Sequence, residues 1–68
     1  MEKIKITTEF IKLDQFLKWV GIAENGSHAK DIILNGDVKV NSEIETRRGK
    51  KLYIGDKVTV FDLNYTIE

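Results

Sequence analysis

Apolar and polar residues alternate at the start of the chain. Ile4 and Ile6 are separated by Lys5 and flanked by Lys3 and Thr7. A period of two predicts a half-buried strand, whose face Phe10 extends. The period then changes. Leu13, Phe16, Leu17 and Val20 fall at i, i+3, i+4 and i+7, one stripe of a short helix. Asp14 lies in its first turn, where a negative charge suits the helix dipole, and Gly21 is placed to end it in a left-handed cap. Trp19 sits at the edge of the stripe, so its ring either flanks the core or is left to stack on a base. Ile22 is expected to anchor the linker that follows.

Ser27 reads as the N-cap of a second helix, which runs to Gly36. Ala29, Ile32 and Ile33 share one face of it, and His28, Asp31 and Asn35 share the opposite one. Leu34 lies near the polar side, either under the next element or exposed. Val38 and Val40 then alternate with Lys39 and Asn41, and a tight connection at Asn41-Ser42-Glu43 turns residues 37–46 into a hairpin. Residues 47–51 form a basic loop pivoting on Gly49. Leu52, Tyr53 and Ile54 are expected to return to the core, with a turn at Gly55-Asp56. Val58, Val60 and Leu63 are read as facing inward, Asn64 as a turn, and Tyr65 with Ile67 as a final edge strand. The order strand, helix, helix, three or four strands predicts an α+β fold. Two short helices pack on a small, mostly antiparallel sheet of four to five strands, in a single domain over residues 1–68.

Composition narrows the chemistry. A chain of 68 residues with 32% charged and 41% apolar residues suits a folded domain rather than a disordered tail. It has no cysteine, so neither a disulfide nor a thiolate metal site is available. No apolar run approaches the roughly 20 residues that cross a bilayer, and Met-Glu-Lys-Ile-Lys-Ile has no apolar core behind its charges, so no membrane is involved and a cytoplasmic protein is expected. The net charge is zero, but it is unevenly spread. Residues 1–26 balance, residues 27–51 carry an excess of two positive charges and residues 52–68 an excess of two negative ones. Arg47, Arg48, Lys50 and Lys51 form the densest cluster, with no acid among them. Such a local field attracts phosphate even on a neutral molecule.

Catalysis finds little support. Ser27 and the single histidine, His28, are adjacent on a helix and point about 100° apart, so they do not form a nucleophile–base pair. No metal-ligand spacing is present, and the chain reads as a non-enzyme without metal or cofactor. Three groups point to a phosphate backbone instead. The first is the start of the second helix, with free N–H groups flanked by His28 and Lys30. The second is the outward face of the hairpin, Lys39 and Asn41, where Asn41 either meets the ligand or braces the hairpin. The third is the loop of Arg47, Arg48, Lys50 and Lys51, which offers planar forks and mobile point charges. Each group alone is ordinary on a protein surface; together in so small a domain they argue for a partner.

The residues that carry these features also resemble a family. Leu13-Asp14-Gln15-Phe16-Leu17, Gly21, Ser27-His28-Ala29-Lys30, Ile32-Ile33, Gly36-Asp37-Val38-Lys39-Val40-Asn41 and Gly55-Asp56-Lys57-Val58 are similar to the S-four RNA-binding domain, named after ribosomal small-subunit protein four. The likeness covers residues 13–60. The run from Glu45 to Tyr53, with the leading strand and Thr8-Glu9, resembles the small stand-alone bacterial YaaA/YbcJ type. The resemblance implies two helices against a small sheet, ribosomal or other structured RNA held between the second helix and the hairpin, and no cofactor. Contacts are expected, in order, from Arg47, Arg48, Lys39, Lys30, Lys50, Lys51, Asn41 and His28, on a monomer that also meets ribosomal proteins. Two residues depart from the pattern: His28 stands where many members have arginine, and Ser42 where glycine is usual. The rival reading is a protein-interaction module that docks on a ribosomal or replication partner through Leu34, Trp19 and the strand at 65–67.

Overall fold

The computed structural model describes all 68 residues. In chain order the elements are β1 (Glu2–Ile4), β2 (Ile11–Lys12), α1 (Leu13–Trp19), α2 (Gly26–Leu34), β3 (Val38–Val40), β4 (Glu43–Ile44), β5 (Lys51–Leu52), β6 (Lys57–Val60) and β7 (Leu63–Ile67). Five strands form one sheet in the order β1-β7-β6-β3-β4, and β2 with β5 makes a separate two-stranded ribbon. Every pairing is antiparallel except β1 with β7. This is the predicted α+β arrangement, two helices on a mostly antiparallel sheet.

Both helices bury the predicted stripes except at Val20, which caps α1 and is only partly buried. Leu13, Phe16 and Leu17 of α1 and Ala29, Ile32 and Ile33 of α2 meet Val38, Val40, Val58, Val60, Tyr65 and Ile67 from the inner face of the sheet. Phe16 packs edge-on to Tyr65, with ring centroids 5.3 Å apart. Each helix ends in the same way. Gly21 and Gly36 take φ of +84° and +80°. Around Gly36, its amide bonds the Ile33 carbonyl and the Asp37 amide the Ile32 carbonyl; around Gly21, the pairs are Gly21 to Lys18 and Ile22 to Leu17. These are two Schellman caps, and only glycine takes the left-handed position without a Cβ penalty.

Several expectations are corrected. Asn25, not Ser27, caps α2: its side-chain oxygen accepts from the His28 amide at 2.8 Å, so the helix starts two residues earlier than Ser27 implied. Ala23 is the buried linker residue and Ile22 only packs beside the core. Trp19, which the sequence leaves open, is the last residue of α1 and 56% exposed because it lies off the 13/16/17 stripe. Of Leu52, Tyr53 and Ile54 only Leu52 is buried, since the strand ends there. Leu63 is exposed too. The last hairpin turns at Phe61-Asp62 rather than at Asn64, which lies within β7 opposite Thr59. Nor is β7 an edge strand. The N-terminal strand pairs alongside it in parallel, and Tyr65 and Ile67 are buried.

The hairpin of β3 and β4 pairs Val40 with Glu43, so Asn41 and Ser42 alone make the turn. Their φ values are +52° and +73°, the doubly left-handed geometry that matches strand twist. Asn41 tolerates it, whereas serine gains nothing there. Replacing Ser42 by glycine is expected to stabilise the domain by about 0.5–1 kcal/mol net, after the entropy glycine adds to the unfolded chain. Thermal denaturation followed by circular dichroism should show Tm rising by a few degrees.

Candidate nucleic-acid interface

The basic loop is folded back against α1. Its turn is closed by the Lys50 amide on the Arg47 carbonyl at 3.2 Å. The carbonyls of Lys50 and Arg48 then accept from the amides of Leu13 and Asp14 at 2.8 and 3.1 Å. Lys12, the residue before α1, makes no side-chain cap, so the loop backbone satisfies donors that a helix start leaves open. With its carbonyls turned to the helix, the loop carries Arg47, Arg48 and Lys51 exposed on its outer side, with Lys50 half-buried.

The ribbon adds a charge that periodicity did not reveal. Lys12 lies directly opposite Lys51 in the β2–β5 pairing. Like charges in that position repel, and part of the cost is offset where the Lys51 ammonium sits 4.8 Å from the centre of the Phe10 ring. Phe10 in turn lies against Tyr53, ring centroids 6.0 Å apart. Arg47, Gly49, Lys50, Lys51 and Tyr53 line one shallow hollow. A second runs between the loop and the hairpin and is lined by Asn41, Ile44, Glu45, Arg47 and Lys50 among others. The site therefore interleaves cations with an aromatic pair. Lys12, Phe10 and Tyr53 escaped the sequence reading because a two-residue ribbon is too short to show a period.

Arg47 is partly spent inside the protein. Its guanidinium grips both oxygens of Glu45 at 3.0 and 3.1 Å, the only ion pair in the molecule. Arg48, Lys50, Lys51 and Lys12 form no ion pair, although the Lys50 charge also acts on Glu45. The side-chain bond from Arg47 lowers the Glu45 pKa, against a smaller opposing effect of burial. A lowered carboxylate pKa contributes stability that is complete above the unfolded-state value and fades as pH falls through the folded one. The pair is therefore intact at neutral pH. An NMR titration of the Glu45 side-chain carbonyl should place its midpoint below that of an unpaired glutamate, and Arg47→Ala should move it up.

The other expected contacts are placed less closely. Asn41 braces the hairpin: its amide nitrogen bonds Asp56 at 3.1 Å and its oxygen accepts from the Lys57 amide at 3.0 Å. His28 accepts from the Glu24 amide through Nδ1 at 3.1 Å, which leaves Nε2 as the ring's outward atom. Gly26 and Ser27 keep their amides free at the start of α2, where no acidic residue stands. Lys30 is exposed on α2. Lys39 is exposed on the open face of the sheet, level with Thr59 and Ile44. Arg47, Lys50, Lys51 and Asn41 are thus gathered along two adjoining hollows, whereas Arg48, Lys30, Lys39 and His28 line neither, Arg48 lying beside them on the same loop. Nowhere do three His, Asp or Glu side chains converge as metal ligands, and no helix is long and apolar enough to cross a membrane.

Comparison with known proteins identifies relatives of the chain. The chain is 46% identical over 57 residues to the probable ribosome maturation protein RlbA of Bacillus subtilis (strain 168), covering 84% of this chain and 80% of that protein. It is 39% identical over 49 residues to the putative RNA-binding protein YbcJ of Escherichia coli (strain K12), covering 72% of this chain and 70% of the relative. The S4 domain family matches residues 4–68, from the last residue of β1 through β7, and the chain belongs to that family.

Proposed function

We propose that the protein is a non-catalytic RNA-binding protein that holds structured, ribosomal RNA by its sugar–phosphate backbone. The observation that carries this reading is the basic loop, pinned by its own carbonyls to the start of α1 with Lys12 set against Lys51. A fold that holds unpaired cations this close accepts a repulsion that an anionic partner relieves. Backbone contacts fix position and shape rather than sequence, which suits a site made of charges on a rigid frame. Arg48, Lys50, Lys51 and Arg47 form the centre of contact, with Lys12 beside them. Tyr53 offers a ring within the same hollow for a base or sugar. Lys30 and His28 on α2 and Lys39 on the sheet are further contacts away from this centre, and Asn41 acts by fixing the hairpin tip next to Arg47 and Lys50. The names of the two relatives, one tied to ribosome maturation and one to RNA binding, favour the same reading.

Crosslinking the tagged protein to RNA in living cells and sequencing the attached fragments tests the proposal. Ribosomal RNA should dominate and converge on one structured region. Recovery of no RNA above an untagged control would reject it.

A further inference from the structure

One exposed feature lies outside the basic loop. Trp19, the only tryptophan, is 56% exposed at the C-terminal end of α1. It borders a hollow of about 360 Å³ shared with Val20 and with Glu2, Lys3, Ile4 and Lys5 of the N-terminal edge. That volume falls near the lower end of small-ligand sites, about 300–1,000 Å³. We propose that this hollow seats one unpaired base of a bound RNA, stacked on the Trp19 indole, with the adjoining phosphates held by Lys3 and Lys5. The inference rests on the RNA-binding reading and adds to it a second point of contact of a different kind.

The chemistry of the hollow favours a nucleotide. Trp19, Val20 and Ile4 supply an apolar surface, and a base lying on an exposed indole removes both faces from water. Lys3 and Lys5 on the rim supply two cations for the flanking backbone. Glu2, the one carboxylate on the rim, is an acceptor without a donor, which suits the exocyclic amine of adenine or cytosine. The position is separate from the basic loop. That loop caps the first residues of α1 and Trp19 is its last, so the helix of seven residues holds the two contacts roughly 10 Å apart along its axis. A structured RNA with an unpaired nucleotide next to a helical segment would engage both.

Because Trp19 is the sole tryptophan, its emission reports on the site alone. The full chain is titrated with hexa-adenylate and, as a backbone without bases, with inorganic polyphosphate. Hexa-adenylate is expected to quench Trp19 emission saturably, and polyphosphate to leave it unchanged. Trp19→Leu should weaken hexa-adenylate binding, measured by anisotropy of a labelled oligomer, about five- to a hundredfold, the range of one lost base stack, while Trp19→Phe retains most of it. The side chain is largely outside the core, so both variants should melt as the parent does. Arg47→Ala/Arg48→Ala should weaken binding of structured RNA but leave the quench at saturation intact. If ribosomal RNA binds while hexa-adenylate causes no quench, or if Trp19→Leu binds the oligomer as tightly as the parent, the base seat is wrong and the RNA-binding reading stands. If neither RNA binds, both fall.

Discussion

Phe16→Ala is expected to unfold the domain at room temperature. The ring is fully buried, lies edge-on to Tyr65 and sits where α1 meets the sheet. Truncating a buried phenylalanine costs about 3–5 kcal/mol, from lost transfer energy and the cavity left behind. A single core in a domain this small supplies only about 3–5 kcal/mol in total. The 15 buried residues form one cluster, with no disulfide or metal to hold the chain once that cluster loosens. Urea denaturation monitored by circular dichroism should show the parent with a cooperative transition and the variant with little or no folded baseline. A variant that folds with a midpoint near the parent's would mean that the two layers are held by something other than this core.

Arg47→Ala/Arg48→Ala is expected to weaken binding of ribosomal RNA about tenfold or more at moderate salt while leaving the fold intact. The loop is fastened through backbone carbonyls, which alanine retains, so the helix start stays capped. The two arginines are not equivalent. Arg47 shares its guanidinium with Glu45, whereas Arg48 has no acidic partner. Arg48→Ala should therefore cost more than Arg47→Ala. This reverses the order that the sequence suggests, where both are simply arginines in a basic run. Fluorescence anisotropy of a labelled ribosomal RNA fragment measures both single variants and the pair.

The contrast between these arginines illustrates what the chain makes legible and what it hides. Both helices and the central hairpin are readable because Leu13, Phe16, Leu17, Ala29, Ile32, Ile33, Val38 and Val40 repeat at periods that only one packing satisfies. The glycine stops at Gly21 and Gly36 are readable because left-handed backbone favours one residue type. The cap of α2 is less so, as Asn25 and Ser27 are both suitable and two residues apart. Long-range placement is hidden almost entirely. Nothing local says that β1 pairs in parallel with β7 and removes the edge there, or that Lys12 meets Lys51. Trp19 shows the same limit, since a residue at the margin of a stripe is decided by where the helix ends.

Contact between the basic loop and the RNA backbone is tested most directly by the salt dependence of binding. Anisotropy titrations of a labelled ribosomal RNA fragment between about 50 and 200 mM KCl yield the slope of log affinity against log salt. With roughly four to six phosphates neutralised, the parent should give a slope of about −3 to −5, and Arg47→Ala/Arg48→Ala should reduce its magnitude by about 1–2. A parent slope near zero, or the same steep slope in both proteins, would contradict the claim.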